Sequence, residues 1–188
     1  DFKRVSGRIQ LANENRQTDL LAGYQDKFFG WPNLYAAPFD SPESEDLETT
    51  TVYLGHRVDG TAAGTVDLAA YYRRNVDDYD FNRFRPNAGN PFQHTTEVWG
   101  LGGEIAPRWR GVIWRTRAEA YWDMIESTSL TNTFQSRSYW KLGLVPEIGG
   151  TFSNGTEWVA QAGGVYADSN RDAGAVDAVA GLEIFSWI

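Results

Sequence analysis

Cysteine is absent from this 188-residue chain, methionine occurs once and histidine twice. Without thiols there is no disulfide scaffold, no thiolate metal site and no cysteine nucleophile. A cysteine-free chain also suits passage through an oxidising compartment. Long hydrophobic runs are missing as well. Nothing approaches the ~18 consecutive apolar residues of a transmembrane helix. Membrane-spanning strands stay open, because a barrel strand needs only about 9–11 residues and alternates in polarity. Basic clusters are lacking and the formal net charge is −8, so no nucleic-acid partner is expected. No leader peptide opens the chain at Asp1-Phe2-Lys3-Arg4, from which we expect a removed leader or a piece cut from something longer.

What the sequence has in abundance is alternation. Apolar residues recur at every second position, and helical periodicity is nearly absent. Nine strands are predicted, over 2–13, 17–28, 48–58, 61–75, 93–106, 110–126, 137–149, 156–167 and 175–187. In the sixth, Trp114, Thr116, Ala118, Ala120, Trp122 and Met124 share one face, against Arg115, Arg117, Glu119, Tyr121 and Asp123. The fourth sets Val66, Leu68, Ala70 and Tyr72 opposite Asp67, Ala69, Tyr71 and Arg73. The apolar faces begin or end in aromatics: Tyr72, Trp99, Trp114, Trp122, Trp140, Trp158 and Tyr166. Amphipathic rings prefer the headgroup level, so two girdles are expected where lipid meets water. A soluble antiparallel sheet also alternates. Strands of about 12 residues, against a usual ~5–6, favour the membrane, as do polar faces with charges of both signs.

The connections alternate in length. Long ones are expected at about 29–47, 76–92, 127–136 and 168–174, and short ones at 14–16, 59–60, 107–109 and 150–155. An outer-membrane barrel has short periplasmic turns and long extracellular loops, so the long side is expected to face out. Bacterial barrels have even strand numbers, and an open edge in lipid leaves amides unpaired at several kcal/mol each. The expected fold is therefore all-β: an antiparallel transmembrane β-barrel, of which residues 1–188 form a partial domain of about nine strands.

Three runs carry a family resemblance: Gly23-Tyr24-Gln25-Asp26-Lys27-Phe28-Phe29-Gly30-Trp31-Pro32, Ala70-Tyr71-Tyr72-Arg73-Arg74-Asn75-Val76-Asp77-Asp78-Tyr79, and Asn90-Pro91-Phe92-Gln93-His94-Thr95-Thr96-Glu97-Val98-Trp99-Gly100. With them the chain resembles the barrel of TonB-dependent outer-membrane receptors, nearest their cobalamin-receptor-like branch. The run Asp168-Ser169-Asn170-Arg171-Asp172-Ala173-Gly174 is similar to another loop of that branch. The resemblance implies a 22-stranded barrel, a plug domain absent from this chain, and coupling to the TonB energy-transducing protein. It also implies capture of a scarce, large nutrient, such as a cobalamin or metal–siderophore chelate. The alternative is a small passive outer-membrane channel or structural barrel.

Catalysis is not expected. His56 and His94 are far apart, no Ser/His/Asp order has glycine support, and Ser6 between Arg4 and Arg8 reads as lumen wall. No cofactor is expected either, since no helix follows Gly100-Leu101-Gly102-Gly103 to make a dinucleotide fingerprint. Ligand contact is expected in the long loops, through Trp31, Tyr35 and Phe39 in the first and Tyr79, Phe81, Arg83, Phe84 and Arg85 in the second. Aromatic rings offer flat surfaces to a conjugated ligand and arginines meet anionic groups. Asp77, Asp78 and Asp80, or Glu43, Glu45 and Asp46, carry the oxygens calcium takes, but without a spaced ligand pattern they read first as solvated acidic loops. Arg115, Arg117, Glu119, Asp123, Lys141 and Glu147 are expected to face the lumen.

Overall fold

A chain whose apolar residues alternate can bury one face of each strand only by laying the strands side by side. The computed structural model does this. It describes residues 1–30, 42–82, 84, 92–128, 130, 136–172 and 175–187, with the side chains of 136, 137 and those beyond 169 left aside. Ten strands follow in chain order: β1 (Phe2–Ala12), β2 (Arg16–Gly30), β3 (Ser44–Thr61), β4 (Gly64–Asp80), β5 (Phe92–Ala106), β6 (Arg108–Trp109), β7 (Val112–Ser127), β8 (Ser136–Thr151), β9 (Glu157–Asp172) and β10 (Ala175–Trp187). They form one antiparallel sheet in the order β1-β2-β3-β4-β5-β7-β8-β9-β10, with the two-residue β6 paired to β7. The sheet is open, and β1 and β10 are its edges.

The predicted strands are all present, and several run further than expected. β3 begins at Ser44 and β4 continues to Asp80, paired Ser44↔Asp80 to Val58↔Val66. Asp77, Asp78 and Asp80 therefore stand in a strand rather than a loop, as do Glu45 and Asp46. Glu43, expected on a solvated loop, is 1% exposed. The physical reason is that these outer ends are polar on both faces, so alternation disappears while the backbone ladder continues. The fourth long connection is likewise corrected: β9 extends to Asp172 and pairs with Ala175, so Asp168–Asp172 is strand and only 173–174 lie between β9 and β10. The gap expected at 107–109 is mostly β6. Its turn is Arg110-Gly111, with φ of 51° and 80°. Two successive left-handed residues suit a type I′ hairpin, and glycine takes that conformation without strain.

Pro146 lies inside β8, where a missing N–H should break a ladder. It pairs with Thr116 of β7, while the β8–β9 ladder passes from Leu144↔Gly164 to Glu147↔Gln161 with no pair at 145 or 146. The defect is thus confined to one side of the strand.

Among the described residues no second layer packs on either face. Among the described residues only Val98 and Ala167 are buried apolar side chains. The chain exposes 13,082 Å², against ~9,000 Å² expected of a compact folded protein of its 21.1 kDa mass. Register shows what that excess is. Directly paired residues point the same way, and the pairs place Val5, Ile9, Leu20, Leu54, Leu68, Leu101, Leu142 and Leu144 on one face. Each is at least 40% exposed. Tyr72, Trp99, Trp122 and Trp140 stand in a single row across β4, β5, β7 and β8 on that face. Trp114 and Trp158 lie towards its opposite end. From Trp114 to Trp122 is about 26 Å along β7, or ~20 Å of depth at a ~40° tilt, near the ~25 Å lipid band of an outer-membrane barrel. The aromatics bound this apolar stretch rather than the strands, which continue outward as Arg74, Glu97 and Glu48.

Candidate functional site

The opposite face is polar, and the register assembles it. The row Arg57–Asp67–Glu104–Arg117 crosses β3, β4, β5 and β7. One step outward runs Asp19–Gly55–Ala69–Gly102–Glu119, and one further Tyr53–Tyr71–Gly100–Tyr121. The small residues of the middle row form the floor of a shallow basin of about 470 Å³, with Tyr53 at one side and the charges of Arg57, Asp67, Glu104 and Arg117 along the other.

The tyrosines lie down rather than stand up. A Cβ added at Gly100 would overlap the ring of Tyr71, and one at Gly55 would meet the Tyr53 hydroxyl at 2.8 Å. Glycine therefore lets each ring rest against backbone, the device by which an aromatic compensates a glycine in a sheet. Glu119 does the same over Gly143, where a Cβ would approach its Cγ at 3.0 Å. The inner surface is flat as a result.

All six residues expected to face a lumen lie on this face. Arg115 reaches Glu104 at 2.9 Å and Glu147 at 2.5 Å, Arg117 reaches Glu104 at 2.7 Å, and Lys141 reaches Glu119 at 2.5 Å. Asp123 accepts a hydrogen bond from the Tyr121 hydroxyl at 3.1 Å. Glu104, shared by two arginines, was not singled out from the sequence, although its parity in the fifth predicted strand was readable. What the sequence could not supply was the register that sets it opposite Arg117. Arg57, which pairs with Asp59 at 3.2 Å and Asp67 at 3.8 Å, and Arg8 with Asp19 at 2.5 Å, belong to the same polar face. With arginines 36–62% exposed, each pair contributes only about 0.2–1 kcal/mol.

Of the expected ligand-contact residues, Trp31, Tyr35, Phe39, Arg83 and Arg85 lie outside the described residues. Tyr79 closes the outer end of β4 on the polar face, its ring 5.9 Å from that of Phe92. Phe81 and Phe84 follow and are 45% and 73% exposed. Near them the Asn82 N–H donates to Asp80 Oδ1 at 2.9 Å and the Phe84 N–H to Asn82 Oδ1 at 3.0 Å. Among the described residues no three His, Asp or Glu side chains are placed to hold a metal ion. Asp46 stands on the apolar side at the outer end of β3, beyond the aromatic row that bounds the apolar stretch. Its carboxyl is held above the usual range, chiefly by loss of water and then by the charges of Asp26 and Asp78.

Asp77, His94 and Ser127 occupy one row on β4, β5 and β7, a juxtaposition not read from the sequence. His94 Nδ1 and Ser127 Oγ are 2.5 Å apart. Ser127 is only 8% exposed, so its hydroxyl is packed rather than presented to a substrate. Beside it the Gln93 N–H donates to Thr128 Oγ1 at 2.9 Å and the Thr128 N–H to Gln93 O at 3.0 Å. These bonds fasten the outer ends of β5 and β7 together.

Compared with known proteins, the chain matches no family model, no curated protein and no solved structure.

Proposed function

We propose that this sheet is part of the wall of an outer-membrane β-barrel, with its apolar face towards lipid and its charged face towards the lumen. The single observation that carries the reading is the segregation of a one-layer sheet with almost no buried apolar side chain among the described residues: one face is predominantly apolar over ~20 Å of depth, interrupted at Thr18, His56 and Thr116, and framed by tryptophans. In water that face would be a contiguous exposed patch far beyond what soluble monomers tolerate. In lipid it is the solvent-matched side. The open edges β1 and β10 pair with further strands of a larger barrel, since unpaired amides are not tolerated in hydrocarbon.

Within that frame we read the barrel as that of an energy-coupled receptor, which imports a large, scarce nutrient such as a cobalamin or metal chelate without covalent chemistry. The resemblance of three sequence runs supports this, and so does charge pairing on the inner face. Arg57, Arg115, Arg117 and Lys141 each sit on a carboxylate, an arrangement suited to a filled interior more than to an ion-selective pore. A passive channel is the second reading, and the 470 Å³ basin on the polar wall favours it to the extent that the basin holds water.

The test uses the full natural chain. It should fractionate with outer membranes and need detergent for extraction. In planar bilayers it should show no steady conductance, and cells lacking it should lose uptake of a large chelate while small solutes still enter. Steady open currents would replace the receptor with the channel, and a protein soluble without detergent would end both readings.

A further inference from the structure

The row of four rings on the apolar face is not continuous. Tyr72 packs on Trp99 with ring centroids 4.2 Å apart, and Trp122 packs on Trp140 at 5.7 Å. Trp99 and Trp122, directly opposite on β5 and β7, thus belong to different pairs. Between the pairs a groove of about 390 Å³ opens over Leu101 and Ala120, within the ~300–1,000 Å³ of ligand clefts. A second hollow shares Leu101 and Ala120 and carries the trough on over Gly103 and Ala118.

From Trp99 to Gly103 the trough runs about 13 Å along β5 at ~3.3 Å per residue. At a ~40° tilt that is ~10 Å of depth, about a third of a ~30 Å hydrocarbon core. It therefore lies within the depth of one leaflet. At its outer mouth stand two opposite charges. Arg74 and Glu97 are paired at 3.5 Å on the same face, one step beyond Tyr72 and Trp99. The Tyr72 hydroxyl donates to Glu97 at 3.3 Å and orients it. Both stay partly exposed, at 43% and 24%. Further out on this face Asp26, Glu48 and Asp46 outweigh Lys3, which disfavours a headgroup of net negative charge.

We propose that this trough is a retention site for one zwitterionic phospholipid. One acyl chain lies between the ring pairs over Leu101, Ala120 and Ala118, the phosphate faces Arg74 and the ammonium faces Glu97. The proposal rests on the membrane reading above. An amine-bearing headgroup meets both charges at once, whereas an anionic lipid meets Arg74 alone.

The test is native mass spectrometry and spin-labelled-lipid binding on the full chain, reconstituted from phosphatidylethanolamine/phosphatidylglycerol vesicles. The wild type should keep a single slowly exchanging phosphatidylethanolamine after delipidation. Ala118→Leu with Ala120→Leu, which fill the trough, should abolish it, while Ala22→Leu elsewhere on the same face should not. Glu97→Gln should lower the preference for phosphatidylethanolamine about fivefold or more, the size of one charge-assisted hydrogen bond at a wet interface. Should the double variant misfold, Ala120→Leu alone carries the test. Equal retention by filled and wild-type proteins, or preference for phosphatidylglycerol, would overturn the site while leaving the membrane reading intact. Failure of every variant to insert would sink both.

Discussion

The two faces of the sheet are built by the same strands, residue by alternate residue, yet they are held together differently. On the polar face side chains hold one another: Arg115 and Arg117 meet on Glu104, Lys141 meets Glu119, and tyrosines lie flat on glycines. On the apolar face from Val5 to Tyr166 most large side chains stand exposed, with contacts gathered where rings pair. One face is complete in itself, and the other waits for its solvent. A soluble sheet sandwich shows the reverse, with its tightest packing on the apolar side. The contrast teaches that the side-chain packing of this sheet is concentrated on its polar face.

The largest expected break in that contrast is a charge in the middle of the apolar band. Leu101→Arg should cost about 2–4 kcal/mol in lipid, the midplane value for arginine on a barrel's lipid face, read by urea unfolding in vesicles. Gln161→Arg, on the polar face, should stay within about 0.5 kcal/mol. Equal costs would mean that the two faces do not see different solvents. Next comes Gly100→Ala, whose methyl must displace the Tyr71 ring and should cost about 1–3 kcal/mol. In a double-mutant cycle Tyr71→Ala should recover most of it, and independence of the two changes would show that the ring does not rest on that glycine.

Glu104→Gln should cost about 1 kcal/mol, because two exposed arginines lose one carboxylate. That loss should shrink in high salt, and a salt-independent loss would point to packing rather than charge. The smallest effect concerns Asp46. A carboxyl whose folded pKa is raised opposes folding once ionised, so stability falls as pH rises from the unfolded carboxylate pKa through the higher folded one. Asp46→Asn should remove that fall and leave the protein slightly more stable at neutral pH. A loss of stability at pH 7 in the variant would reverse the sign of the argument.

Face assignment was legible in the sequence wherever one side of a strand is apolar and the other polar. Trp114 to Met124 and Val66 to Tyr72 were read correctly because alternation is all the information needed. The outer ends were not legible: Ser44–Leu47 and Val76–Asp80 carry polar residues on both sides, and a ladder of backbone bonds leaves no trace in such a pattern. The expected lumen charges were found as a set, but their partners were not. Glu104 lies opposite Arg117 only once the register of β5 on β7 is fixed, and register is a long-range property. That aromatics end the apolar faces was legible from spacing; the division of the row into two pairs, with the trough between them, depends on rotamers that spacing does not specify.

Apart from β5, which pairs with β7 past the two-residue β6, each strand in this sheet pairs with its neighbours in the chain. The sheet is therefore a one-dimensional array of hairpins, in which every long-range contact is made by closing one connection at a time. Such an array has low contact order for its size and can grow strand by strand. Its stability is the sum of nearest-neighbour terms, so damage at the β8–β9 gap beside Pro146 would stay local and leave β1 to β5 paired. The free edge of β1, with the amides of Phe2 to Ala12 aligned on β2, is then a growing end: a template on which the next strand can be laid without undoing the last.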